Sequence, residues 1–164
     1  MNNERWRPSV TVAAVIEQEG RFLLVEEVTS EGLMLNNPAG HLEPGESPLE
    51  AVVREALEET GRPFAADALL GLYLSRTQRP SRSEDITYLR IAFSGSVGEP
   101  IAGWVLDKGI VRTLWLTPDE IRAAAHRLRS PLVLQCIDDH LSGRRLPLDA
   151  IHSDNSLYMP QVKN

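Results

Sequence analysis

Residues 54–61 read "REALEETG" and place Glu55, Glu58 and Glu59 within five positions, with Arg54 and Arg62 as the nearby cations. Carboxylates this dense can hold a divalent cation, move protons, or simply face solvent as an acidic surface. On a helix of about 100° per residue, with Glu55 at zero, Glu59 lies at about 40° and Glu58 at about −60°, so the three share a face. Leu49, Val53, Ala56, Leu57 and Thr60 fall between roughly 100° and 200° and are expected to form the core-facing stripe. Ala51 is small, sits a turn earlier and leaves room beside the carboxylates. Like charges three and four residues apart weaken a helix. They also lie towards its C-terminal end, where the macrodipole disfavours anions. A bound divalent cation removes this conflict. Mg2+ suits best: it is hard, and is held by a few carboxylates, waters and substrate phosphates.

The helix that positions these groups has clear ends. Ser47 is placed as N-cap, Pro48 at the first helical position, and Glu50 to complete a capping box with Ser47. Gly61 is placed for the left-handed residue after the last turn. The expected helix is 48–60. The loop "NPAGHLEPGES" (37–47) leads into it. Gly40 and Gly45 open backbone conformations closed to other residues, and Pro38 and Pro44 stiffen the loop. Such a loop can bring backbone carbonyls and amides up to a metal or a phosphate.

Around this centre the chain alternates strands and turns. Residues 10–18 and 21–28 read as a hairpin turned at Glu19-Gly20, and 33–41 as a short strand entering the loop. Residues 69–77 and 86–97 read as longer strands separated by loop chemistry at 79–85, and 110–116 as another strand. Thr117-Pro118 opens a helix running through "TPDEIRAAAHRL". Ser130-Pro131 repeats the device for a helix that ends at Gly143. The pattern predicts an α/β (α+β) fold, with helices packed on a mixed sheet. One domain is expected over 7–152, with 1–6 and 153–164 as tails.

Composition narrows the function classes. The chain has 164 residues and a formal net charge of −6, so nucleic-acid backbone binding is not expected. The only lysines are Lys108 and Lys163, so the cations are almost all Arg, which suits bidentate phosphate contacts. The one cysteine, Cys136, excludes an intramolecular disulfide and a Cys-based metal site, and its apolar helical surroundings point to the core. No apolar run approaches the length of a membrane span. The polar start "MNNERWRPS" lacks the apolar core of a signal peptide. A cytoplasmic location, with no membrane or nucleic-acid partner, is the expectation. The oligomeric state is left open.

From Gly40 to Arg62 the chain reads "GHLEPGESPLEAVVREALEETGR". This resembles the Nudix box, G-x(5)-E-x(7)-R-E-U-x-E-E-x-G-U, where U is apolar. Gly40, Glu46, Arg54, Glu55, Glu58, Glu59 and Gly61 fall on its fixed positions. Ala56 is small for an apolar site, and Arg62 replaces the final apolar residue, which leaves the packing after the helix in question. "PAGHLE", "VTVAAVI", "LWLTPDEI" and "RSPLVLQCIDDHLSGRRLPL" extend the resemblance over roughly Pro8 to Ile151, towards the bacterial NudJ-type phosphatases.

The resemblance implies a Nudix-like alpha/beta/alpha sandwich around a central catalytic helix. It implies Mg2+-dependent hydrolysis, with Mn2+ a possible substitute, of phosphoanhydride bonds in nucleoside di- or triphosphates or a thiamin-precursor pyrophosphate, with release of phosphate. Glu58 and Glu59 would be metal ligands helped by the Gly40 carbonyl. Glu55 would be a ligand or the general base. Arg54 would brace the carboxylates, and Glu46 would bond loop backbone. A further acidic group is sought at Glu84, Asp85 or, by preference, Asp107. His41, Asn36, Asn37 and Arg129 are candidate substrate contacts, and Tyr73, Tyr88 and Trp6 candidate stacking rings. His126, His140 and His152 lack metal-like spacing. The alternatives are a mutator-type nucleoside triphosphate pyrophosphohydrolase and a non-catalytic nucleotide-binding Nudix module. A prenyl-diphosphate isomerase is set aside, because Cys136 lies far from the box.

Overall fold

Val12–Ile16 is an unbroken buried run, and a strand buried on both faces needs cover on both sides of its sheet. A computed structural model, which describes residues 5–161, shows that cover. Strand β1 (Ser9–Gln18) turns into β2 (Arg21–Thr29) through Glu19 and Gly20, whose φ angles are 52° and 76°. Two left-handed residues make the tight turn whose twist suits a hairpin. The strand expected at 33–41 is two: β3 (Gly32–Asn36) pairs with β2, and β4 (Ala39–His41) pairs with β1. Asn37-Pro38 carries the chain from one neighbour to the other.

Strands β5 (Phe64–Arg79) and β6 (Glu84–Val97) form a hairpin longer than expected. Pairing continues to Arg79↔Glu84, so the polar stretch 79–85 closes on a single 3-10 turn, Pro80–Arg82. Strand β7 (Ile110–Leu116) pairs with β2. The sheet order is β3-β2-β1-β6-β5, with β4 added to β1 and β7 to β2. Strands β1 and β6 run parallel and the other pairs antiparallel, so the sheet is mixed.

Helix α1 (Pro48–Thr60) has the expected bounds, capping box and left-handed Gly61. It covers one face, where Ala51, Val52 and Ala56 pack with Val12, Ala14, Ile16 and Phe93. On the other face lie α2 (Pro118–Ala123) and α3 (Leu132–Leu141). There Ile121, Val133, Cys136 and Ile137 pack with Ala13, Val15, Leu70 and Ala92. The expected α/β/α sandwich is therefore present, with alternate β1 side chains serving opposite layers.

Three local expectations fail. The helix opened by Thr117 ends at Ala123 and gives way to a 3-10 turn, Ala125–Arg127. The Ser-Pro device is not repeated at α3. Pro131 itself is the N-cap, at φ −58° and ψ −22°, and Ser130 Oγ is buried with no hydrogen-bond partner among the described residues. The third concerns the helix face. Leu49 and Val53 are 40% and 36% exposed, whereas Glu55 and Glu59 are only 9% and 7% exposed. The helix is thus rolled so that two of its carboxylates point into the domain. Small residues on the same side, Ala51 and Ala56, let it approach the sheet closely enough to bury them.

The residue replacing the last apolar box position is accommodated by packing. Arg62 Nη1 donates to the Gly98 carbonyl at 3.0 Å, and its guanidinium stands 5.9 Å from the Trp115 ring centroid. Beyond residue 152, Asn155–Tyr158 forms a 3-10 turn, and Tyr158 Oη donates to Glu50 Oε2 at 2.9 Å, beside the helix cap. Among the described residues no helix is long and apolar enough to cross a membrane.

Ser47 and Glu50 satisfy one another's backbone N–H groups at the start of α1. Ser47→Ala is expected to cost about 1 kcal/mol and to lower the melting temperature by roughly 2–4 °C. Thermal denaturation of both proteins checks this.

Candidate active site

Strand β4 is the closest neighbour of the inward carboxylates. Gly40 pairs with Val12 in regular extended backbone, and its φ is not left-handed, unlike that of Gly45 at +88°. Its requirement is space, which corrects the conformational reading of this glycine. A Cβ at residue 40 would lie 2.1 Å from both Cδ and Oε1 of Glu55. The glycine lets a carboxylate press against backbone. One residue earlier, the Ala39 N–H donates to Glu59 Oε2 at 2.9 Å. A three-residue strand therefore fixes two of the three glutamates.

Arg54 supplies the countercharge. Its Nε and Nη2 hold Glu46 at 2.9 and 2.7 Å, a two-pronged pair. Nη1 donates to Glu55 Oε1 at 2.8 Å and Glu58 Oε2 at 3.2 Å, and Nη2 also reaches the His41 carbonyl at 3.1 Å. Glu46 in turn accepts the Glu43 N–H at 2.8 Å. One guanidinium thus ties the loop to three carboxylates, and planar fork geometry makes arginine the residue for this.

The balance remains unfavourable to negative charge at the buried end. Burial pushes the Glu59 carboxyl up to about 8, against the Ala39 N–H; Glu55, Glu27 and Asp107 add repulsion. Burial also raises Glu55, opposed by Arg54. The hydrogen bonds from Arg54 hold Glu46 below the usual carboxylate range. A cation set against Glu55 and Glu59 would favour their ionised forms. The donors are hard oxygens, as Mg2+ requires, so the residues present fit that ion. Among the described residues no three His, Cys, Asp or Glu side chains converge as a metal cluster. Arg54 draws Glu55 and Glu58 towards itself, while Ala39 draws Glu59 the other way.

A cleft of about 250 Å³ opens beside the same strand. Ala39, Gly40 and His41 line it, together with the buried Asn36 and Arg90, the part-buried Glu27, Tyr88 and Ser130, and Arg129. Sequence reasoning had reached Gly40, His41, Asn36, Arg129 and Tyr88, and the structure brings these together. Asn37 is different: it is fully buried, both amide atoms lack partners among the described residues, and it does not line the cleft. Asp107 also lies outside the cleft. Its N–H donates to the Glu58 carbonyl at 3.0 Å, and its charge is felt by Glu55 and Glu59. Tyr73 is core, donating to Asp139 at 2.8 Å, and Trp6 is 70% exposed away from the cleft. Glu84 and Asp85 sit at the tip of the β5–β6 hairpin, paired with Arg79 and Arg76.

Glu27, Arg90 and Ser130 were missed. The available signal was charge inside an apolar strand: Arg90 in "ITYLRIAF", and the Glu26-Glu27 pair in "FLLVEEV". Such a residue is buried at a cost unless it has a partner or a task.

Known proteins resemble this chain in sequence and fold. The NUDIX domain matches residues 5–135. The chain belongs to the Nudix family. Phosphatase NudJ of Escherichia coli (strain K12) is 36% identical over 150 residues, covering 92% of this chain and 94% of that protein. The NUDIX hydrolase from Nitrosomonas europaea is 49% identical at a TM-score of 0.83, over 90% of this chain and 98% of that one. The MutT protein from Methanosarcina mazei Go1 superposes at a TM-score of 0.65 with 22% identity, over 87% of this chain and 100% of that one, which shows the shared fold. As a Nudix hydrolase the protein acts on phosphoric anhydrides.

Gly40→Ala tests the close approach in this Nudix site. The added methyl displaces the Glu55 carboxylate, a clash expected to cost about 1–3 kcal/mol. Phosphate release should fall by roughly 100-fold or more, since a misplacement of about 1 Å can cost that much, while the circular-dichroism spectrum stays native.

Proposed function

We propose that this Nudix hydrolase is a Mg2+-dependent phosphohydrolase that releases orthophosphate from nucleoside di- and triphosphates or from a thiamin-precursor pyrophosphate. The observation that supports it is the pair of inward glutamates, Glu55 and Glu59, packed against Gly40 at the end of a polar cleft. Two carboxylates turned into a domain at this cost favour a task over an acidic surface. The chain's similarity to Phosphatase NudJ favours stepwise phosphate release.

Glu55, Glu58, Glu59 and the Gly40 carbonyl would hold the ion. When bound, Mg2+ neutralises phosphate oxygens and lowers the pKa of a coordinated water. Arg54 holds Glu55 and Glu58 in place and stays out of the cleft, a bracing role. Glu58 is the most exposed of the three and can turn away from Arg54 at little cost. Glu55, raised by burial, serves as a ligand or accepts the proton from water. His41, next to Gly40, lines the path open to the substrate's phosphates, and Arg129 lines the same cleft, paired with Glu27. Asn37, being buried, supports the loop instead. Cys136, a buried thiol, suits the reducing cytoplasm.

A panel of nucleoside di- and triphosphates, assayed with Mg2+ and after exhaustive chelation, tests the reaction. Activity should vanish on chelation and return with Mg2+, and a triphosphate should give its diphosphate before the monophosphate. Activity that persists without metal would overturn the metal reading. Early pyrophosphate would favour the mutator-type reaction.

Glu59→Gln separates task from surface. The amide keeps an oxygen for the Ala39 N–H. Because the folded-state pKa is raised to about 8 from 4.5, ionised Glu59 costs stability. That cost grows as pH rises through 4.5 and levels off above about 8. Without metal at pH 8 the variant should therefore melt at or above the wild-type temperature. Mg2+ should stabilise the wild type much more than the variant, and turnover should fall by orders of magnitude. A variant with full activity and the full Mg2+ response would exclude Glu59 as a ligand.

A further inference from the structure

We propose that Glu27 and Arg90 read the non-phosphate end of the substrate, and that the group they select is a nitrogen heterocycle with an N–H or amino donor beside an acceptor. This rests on the reaction proposed above and names the part of the substrate that reaction leaves unspecified.

The unpartnered atoms point to this part of the cleft. Among the described residues, the buried side-chain atoms with no hydrogen-bond partner include Glu27 Oε1, Arg90 Nη1 and Ser130 Oγ, all on residues that line one cleft. Buried polar groups are ordinarily satisfied, and those that are not call for a reason. Arg90 is 7% exposed. Its Nη2 donates to Asn36 Oδ1 at 3.3 Å, which leaves the other prong unused. Arg129 Nε stands 3.2 Å from Glu27 Oε1 as an ion pair, without hydrogen-bond alignment.

The mixture of signs decides what binds here. A phosphate would meet the Glu27 carboxylate and be repelled. It belongs where Gly40 adjoins the glutamates of α1. A carboxylate beside a guanidinium instead presents an acceptor next to a donor. The edge of a nucleobase or an aminopyrimidine is the complement: a ring or exocyclic N–H for Glu27, and a carbonyl or ring nitrogen for Arg90. The surroundings suit a flat ring. Tyr88 and His41 both line the cleft, with ring centroids 6.4 Å apart and planes inclined at 42°. They offer aromatic surface to a heterocycle held at the buried pair. A lipid chain would leave the charged pair unsatisfied, and a site built to hydrogen-bond a ligand rejects analogues that lack the matching groups.

Calorimetric binding to the whole protein tests this without turnover. The probes are guanosine and cytidine monophosphates, the phosphomonoester of an aminopyrimidine methanol, and ribose 5-phosphate, which has no base. The wild type should bind at least one base-bearing probe ten-fold or more tightly than ribose 5-phosphate. Which one binds tells a nucleotide from a ribose-free pyrimidine. In Glu27→Gln that ratio should fall towards one. Arg90→Met, which removes the guanidinium and keeps a side chain of similar length, should do the same, and a melt of each variant confirms that it folds. Equal affinity for all probes in the wild type, or an unchanged ratio in both folded variants, would overturn the proposal. Phosphate release on the same preparations keeps the two readings apart. Base preference without hydrolysis overturns the reaction. Hydrolysis without base preference overturns the reader.

Discussion

The structure depends on keeping like charges buried against backbone. Glu55 and Glu59 lie inside the domain, one turn apart, and the Glu55 charge adds to the burial that raises the Glu59 pKa. In water such a pair would turn outwards. Here α1 cannot turn, because Ala51, Val52 and Ala56 on the same side are its contact with the sheet. The apolar packing that holds the helix also holds its carboxylates. The compensations are local: Arg54 on one side, the Ala39 N–H on the other, and Gly40 to make room. Loss of one partner exposes the uncompensated charge, which is why breaking a buried pair costs more than the pair contributes.

The rest of the architecture serves that arrangement. Strand β4 is only three residues long, yet it must sit beside β1 in register to bring Ala39 and Gly40 to the helix. Asn37-Pro38 makes the crossing from β3, and the Ala14 N–H fixes it by donating to the Pro38 carbonyl at 2.9 Å. The capping box and left-handed Gly61 set the ends of α1 and hence which glutamate meets which strand residue. On the opposite layer, α3 and the segment before it bring Arg129 and Ser130 to the cleft. The two layers of the sandwich therefore serve the two ends of one site.

What the sequence revealed followed the range of each signal. Caps are set by residues three apart, so the bounds of α1 were legible to the residue. The box was legible because its spacing is fixed by one helix and one loop. The roll of α1 was not. Assigning its buried face by apolar content placed Leu49 and Val53 inwards, but small residues and two carboxylates took that side. Periodicity reports the hydrophobic face, and a site is where that rule is overridden. Gly40 was read as a conformational glycine, but its close approach to Glu55 is a tertiary fact, invisible in local propensity. Asn37 and Asp107 were chosen by sequence proximity, whereas the cleft gathers side chains from β1, β2, β5, β6 and the turn before α3. Strand residues at such separations, Glu27 and Arg90 among them, meet only in the folded sheet.

The same charge distribution explains how an acidic chain can handle an anionic substrate. Three arginines line the cleft, yet they do not make a positive field. Arg79 is paired with Glu31 and Glu84, and Arg129 with Glu27. Arg90 is buried beside the neutral Asn36 amide, and burial lowers its pKa. With a net charge of −6 over the chain, long-range attraction of a polyphosphate is weak, and exposed charges beyond about 10 Å are screened at ordinary ionic strength. The attraction must arise at contact range. On the proposed reading, glutamates that gather a divalent cation would invert the local sign where the phosphates lie, and would leave Arg90 and Glu27 for recognition. An acidic protein arranged in this way would hold a polyphosphate only where the ion and the heterocycle are both in register, and that selectivity would not rest on charge alone.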